Sequence, residues 1–142
     1  MKKWIIILLL VVVVITVIVL YKYNAYKNEV LNIQKINTEY QNFSEGEIVG
    51  TSIMTLINRT MDLNNKNGIK LDENNLYIEN ESNSIKIDIK FQESDETFPM
   101  EKIAMLGSEQ FIKNYATAYF KCSKIEYHKQ TNMIKYLLFE QI

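Results

Sequence analysis

The chain is poor in residues that mark special chemistry: one cysteine (Cys122), one proline (Pro99), four glycines, one histidine (His128) and one arginine (Arg59) among 142 residues. A single thiol excludes an intramolecular disulfide framework, so the fold must be held by its apolar core. No Gly-rich phosphate loop, Ser/His/Asp arrangement or paired-cysteine motif is present. Basic charge is also scarce as a cluster. Sixteen basic residues face 17 acidic ones, and with Lys2 and Lys3 at the N-terminus the rest carries 14 positive charges against all 17 negative ones. No lysines gather into the basic stripe that phosphate binding needs, which argues against a nucleic-acid partner and for a solvated, mixed-charge surface. Heavy use of Ile, Asn and Lys, all with AT-rich codons, points to a low-GC bacterial genome.

What the chain does have is a long uncharged run. Trp4 to Leu20 holds 17 residues without a charge, Thr16 being the only polar member, and Tyr21 extends it. As a helix this run reaches roughly 26 Å, close to the ~30 Å hydrocarbon core of a bilayer. It is apolar all round, whereas a helix at the surface of a soluble core needs a polar face. Backbone groups in lipid have no water to bond, which forces the helical form even on a Val/Ile-rich sequence. The run is longer than the apolar region of a cleaved signal, and Tyr21-Lys22-Tyr23-Asn24 offers no small-residue cleavage site, so a retained anchor is the favoured reading. Trp4 at one end and Tyr21, Tyr23 and Tyr26 at the other fit interfacial aromatic belts. The density of positive charge at Lys2, Lys3 and the free amine places the N-terminus inside and the C-terminal part outside.

Beyond the run about 120 residues remain, enough for one small domain. Tyr23, Tyr26, Val30, Ile33 and Tyr40 recur at steps of three and four, interrupted by Asn37, with no helix breaker between Lys22 and Asn42. This predicts a helical stalk that packs on its own domain or on another anchored chain. Ser44-Glu45-Gly46-Glu47 matches a capping box opening a second helix, whose apolar face is Val49, Ile53, Leu56, Ile57 and Met61 and whose end is a left-handed cap at Gly68. Ile69–Leu71 and Leu76–Ile78 are short apolar stretches around a turn at Asp72–Asn75. In SIKIDIKF, Ile85, Ile87, Ile89 and Phe91 alternate with Lys86, Asp88 and Lys90, the pattern of a strand with one buried and one wet face. Pro99 suits the first position of a helix carrying Met100, Ile103, Ala104, Phe111, Tyr115 and Ala118, divided at Gly107-Ser108. Two strands joined by a turn at Lys129–Asn132 complete the chain, the second apolar on both faces as in a central or covered strand.

Three groups of residues invite a chemical role. Cys122 and His128 lie six apart and would share a face of a flat strand, as half a metal site or a nucleophile pair. The apolar parity switches between Phe120/Cys122 and Ile125/Tyr127, however, which implies a bulge or a helix end between them and removes the shared face; Cys122 then reads as a buried structural thiol, with an intermolecular disulfide or a reactive thiol as the alternative. Asp62, Asn64, Ile69 and Glu73 fall at positions 1, 3, 8 and 12 of a calcium loop, yet Lys66 takes position 5 and the glycine arrives one residue late, so the segment reads as a helix cap and turn. Glu93, Asp95 and Glu96 form an acidic loop tip of the kind that is normally just solvated. No catalytic, cofactor-binding or metal-binding residue is assigned, and no cofactor is expected.

The predicted fold is α+β: an N-terminal transmembrane anchor (1–21), an amphipathic stalk helix (22–43), and a small domain (44–142) with two helices on a four- or five-stranded antiparallel sheet. The layout follows the general plan of pilin-like subunits without the prepilin signature, since no Gly precedes a Phe and no Glu lies five residues into the apolar run. The expected function is that of a single-pass, membrane-anchored, non-enzymatic bacterial cell-envelope protein. Residues 4–21 would meet lipid, and the stalk or head would meet other envelope proteins. The alternative is an extracytoplasmic sensor or small-ligand-binding head.

Overall fold

A computed structural model describes residues 2–142. The chain divides into two compact units, residues up to Lys35 and Ile36–Ile142, and a single helix, α1 (Lys2–Ser44), supplies residues to both. In the first unit Trp4 to Leu20 form helix throughout, and their apolar side chains are exposed. The Thr16 hydroxyl donates to the Val12 carbonyl at 2.8 Å, so the one polar side chain of the run is satisfied inside its own helix. One stretch of α1 is long and apolar enough to cross a membrane.

The second unit is α+β. After α1 come β1 (Glu47–Val49), α2 (Gly50–Lys66), β2 (Lys86–Lys90), β3 (Thr97–Pro99), α3 (Met100–Leu106), α4 (Ser108–Tyr115), β4 (Tyr119–Tyr127) and β5 (Ile134–Gln141). The five strands form one sheet in the order β1-β4-β5-β2-β3. Three of the four pairings are antiparallel, as expected, but β2 and β5 run parallel, with Lys86 opposite Tyr136 and Lys90 opposite Glu140. Alternating apolar residues show which face of a strand is buried, not which way its neighbour runs. No hairpin joins β2 to β5, and the long crossover through β3, α3, α4 and β4 permits the parallel direction. The central position foreseen for the last strand is the one β5 occupies.

One face of the sheet holds the core. Ile87 and Ile89 of β2 stand beside Leu137 and Phe139 of β5, all fully buried. Ile53, Met54, Leu56 and Ile57 of α2 and Met100, Ile103 and Phe111 of α3–α4 are buried with them. The other face is a chequerboard across β2, β5 and β4: Lys86–Tyr136–Glu126, Asp88–Leu138–Lys124 and Lys90–Glu140–Lys121. Charges of both signs are interspersed on this face, and the Tyr136 hydroxyl donates to Asp88 at 3.0 Å. The edge strands β1 and β3 have three residues each, which leaves little open edge at either side.

Local signals are met in some places and overridden in others. α2 ends in a Schellman motif: Gly68 has φ 69°, Ile69 N–H donates to Asn64 at 3.0 Å and Gly68 N–H to Asn65 at 3.0 Å. Gly107, with φ 93°, separates α3 from α4 as anticipated. Pro99 ends β3 and caps α3 rather than opening the helix. The capping box at Ser44 does not form. Ser44 ends α1, its hydroxyl donating to Gln41 at 2.8 Å, and Glu47–Val49 pair with Lys121–Tyr119 of β4 instead of entering a helix. α2 starts at Gly50, whose N–H donates to Ala118 at 2.9 Å; a Cβ there would lie 1.9 Å from the Tyr115 carbonyl oxygen, so only glycine fits. Ile69–Leu71 and Leu76–Ile78 make a single bridge, Leu71 to Tyr77, because Asp72 Oδ1 accepts the N–H groups of Asn74 and Leu76 at 2.8 and 2.9 Å in a tight turn.

Polar side chains fix the entry to the parallel pair. Asn64, fully buried on α2, donates Nδ2–H to the Ile85 carbonyl at 2.8 Å and accepts the Ile85 N–H on Oδ1 at 2.9 Å. Asn37 makes the matching grip on the start of β5, accepting the Ile134 N–H at 2.8 Å and donating to Asn132 at 2.7 Å. Near it, Tyr40 is buried, and Thr60 Oγ1 already donates to Leu56 at 2.8 Å, so the Tyr40 hydroxyl must be the donor in their 2.8 Å contact.

Asn64→Ala leaves both backbone groups of Ile85 unpaired in the core and lowers stability by about 3 kcal/mol, read as a fall in the urea midpoint; an unchanged midpoint would contradict the clamp. Burial, opposed by the Thr60 hydrogen bond, pushes the Tyr40 hydroxyl up from 10.0 to about 12. Between those values the unfolded chain has released a proton that the folded chain retains, so stability is intact below pH 10 and falls by about 2 kcal/mol towards pH 12. Tyr136 and Tyr77, also raised chiefly by burial, act in the same direction. Urea midpoints measured across this range should fall less steeply for Tyr40→Phe, and equal slopes would contradict the assignment.

Candidate functional site

The paired candidates of the sequence are held apart by their separate partners. The β4–β5 ladder shifts register between Cys122 and Lys124, which is the anticipated bulge, and again between Glu126 and Tyr127. Cys122 stands opposite the buried Phe139 and is half-buried, its thiol donating to the Lys124 carbonyl at 3.4 Å. His128 is buried, and its Nε2 lies 2.7 Å from the Ser84 carbonyl oxygen. A carbonyl only accepts, so Nε2 carries the proton, and the ring serves to tie the β4–β5 turn to the start of β2. Asn80 orders the adjoining loop: its Oδ1 accepts the N–H groups of Ser82, Asn83 and Ser84 at 3.0, 2.9 and 3.0 Å.

The would-be calcium ligands are occupied elsewhere. Asn64 clamps Ile85, Asp62 lies within α2, Ile69 closes the helix cap through its N–H to the Asn64 carbonyl, and Glu73 is exposed in the turn that Asp72 caps. Glu93, Asp95 and Glu96 are exposed on the loop before β3, where the Glu96 N–H donates to Ser94 Oγ at 3.1 Å. Among the described residues no three His, Cys, Asp or Glu side chains group closely enough to hold a metal ion.

Two of the concavities bring together residues from distant parts of the chain. A shallow groove of about 660 Å³ is lined by Glu79, Glu81, Glu126, Lys129 and Lys135 among others. Its charges are engaged internally: Lys135 pairs with Glu79 at 2.5 Å, Lys124 with Glu126 at 2.6 Å, and Gln130 donates to Glu81 at 2.9 Å. Such pairs in solvent contribute little to stability, and they leave few free charges for a ligand.

The second concavity is of a different kind. At the far end of β2, Phe91 meets Phe98 edge-on at 5.5 Å and Tyr115 at 4.6 Å. Phe111 and Phe120, buried, close the inner side of this cluster at 6.3 Å each from Phe91. Phe91, Phe98 and Tyr115 are only half-buried, and with Ile103 and Leu106 they bound a pocket of about 220 Å³ with Gln110 and Asn114 at its mouth. The α4 half of this site, Phe111 and Tyr115 one turn apart, is visible in the helical period. Phe91 and Phe98 were legible only as the end of a strand and part of a loop, since the β2–β3 pairing that brings them to α4 is not encoded in any local period.

Burial raises the Cys122 thiol above its ordinary value, which suppresses the reactive thiolate. A maleimide or disulfide reagent should label folded protein at least tenfold more slowly than urea-unfolded protein; equal rates would show an open, activated thiol. The chain matches no family model, no curated protein and no solved structure, so a functional reading rests on its own residues and geometry.

Proposed function

We propose that the chain is a single-pass membrane protein of a bacterial cell envelope, a non-enzymatic component whose head, on the outer side, binds other proteins of an assembly. The observation that carries this reading is the uncharged run Trp4–Leu20: it is helical, apolar on every side, and none of its residues is buried within its own chain. An apolar cylinder of this length is stable only where lipid or protein replaces water, and at roughly −0.3 to −0.6 kcal/mol per apolar residue its insertion is favoured by several kcal/mol. Thr16, bonded to its own helix, adds no demand for an outside partner. Lys2 and Lys3 precede the run without an intervening acid and favour an inside N-terminus.

The head supports a binding role more readily than a catalytic one. Its single thiol lies opposite Phe139 and its single imidazole is spent on Ser84. Its larger groove carries charges mostly engaged within the head. Expressed at native level, the protein should sediment with membranes, resist carbonate extraction, and after detergent extraction migrate as a complex larger than one chain. A strictly monomeric species would overturn the assembly role. A mature chain beginning near Lys27 and remaining in the supernatant after ultracentrifugation would overturn the anchor.

A further inference from the structure

We propose that the aromatic pocket between β2, β3 and α3–α4 is a binding site for a small, uncharged, planar molecule of one or two rings. This goes beyond the anchored-component reading and does not depend on it. In a chain where 23% of residues are charged, none of the residues lining this pocket is: its walls are Phe91, Phe98, Phe111, Tyr115, Ile103 and Leu106. A charged ligand entering it would lose hydration with no opposite charge to replace it, so the site selects against ions. The volume, about 220 Å³, exceeds the ~150 Å³ apolar cavity that accepts benzene and falls short of the ~300 Å³ at which pockets for drug-sized ligands begin.

The rings supply the shape. Phe91 and Tyr115 lie 4.6 Å apart with their planes inclined by 31°, and Phe98 stands edge-on at 61° to Phe91, so flat faces and ring edges both border the space. A planar guest continues this offset and edge-to-face packing better than an alkyl chain does. The carboxamides of Gln110 and Asn114, exposed at the mouth, can each give or take a hydrogen bond, which suits a guest with one polar edge. Leu106, 65% exposed at the end of α3, and the neighbouring Met105 would cover apolar surface on closure around a guest.

The test uses the full chain in lipid nanodiscs, with methyl groups of Ile, Leu and Met labelled for NMR, and indole as the probe. Ile103 and Leu106 methyl signals should shift saturably with half-saturation below about 1 mM, while Ile85, beyond the opposite end of β2, stays in place. Leu106→Glu brings a charge to the rim at an exposed position and should weaken the effect at least tenfold, with the Ile85 signal reporting an unchanged fold. Shifts that grow linearly at all methyls alike would mean partition without a site, and either that result or the absence of any shift at Ile103 overturns the proposal.

Discussion

The two hydrogen bonds between the Asn64 side chain and the backbone of Ile85 are the constraint from which the arrangement of the head follows. A carboxamide has the donor and acceptor of a peptide group, so Asn64 serves α2 as a strand neighbour would and holds the chain entering β2 in register. This matters because β2 and β5 run parallel with no short turn to set their direction. The constraint has to be applied at the strand entries, and polar side chains gather there: Asn64 at Ile85, Asn37 at Ile134, and His128 at Ser84. Each satisfies backbone groups that would otherwise be costly to bury.

The opposite end of β2 is built differently. There the ordering groups are rings, and the contacts of Phe91 with Phe98, Tyr115, Phe111 and Phe120 are apolar and non-directional by comparison. A hydrogen-bonded clamp tolerates little displacement, whereas half-exposed rings at the corner of a sheet can separate slightly at low cost. The polar, clamped end and the aromatic, half-exposed end of β2 therefore differ in how tightly they are held. The charged face of the sheet lies apart from both, with lysines and acids interspersed across its strands.

Much of this was readable from local pattern. The two-residue period of SIKIDIKF, the left-handed cap at Gly68, the helix break at Gly107, the parity change after Cys122, and the turn before β5 all express constraints acting within a few residues. Where reading failed, a distant partner overrode a sound local signal. Ser44-Glu45-Gly46-Glu47 has the composition of a helix start, but β4 offers Glu47–Val49 backbone partners. Asn37 looked like a flaw in an apolar stripe because its partners, Asn132 and Ile134, lie almost a hundred residues away.

By itself the sequence determined that residues 4–20 form an uncharged run long enough to cross a bilayer, that the remainder alternates helical and strand periods in an α+β order, and that no intramolecular disulfide or basic stripe shapes it. These follow from composition and spacing, which act through hydration and backbone geometry at short range. Only the tertiary structure decided that β2 runs beside β5 in the same direction, that three polar side chains lock their entries, and that Phe91 and Phe98 meet Phe111 and Tyr115 around one uncharged pocket. Those outcomes depend on which surfaces pack together after the chain has turned back on itself, and hydrophobic period carries no label for partner or direction.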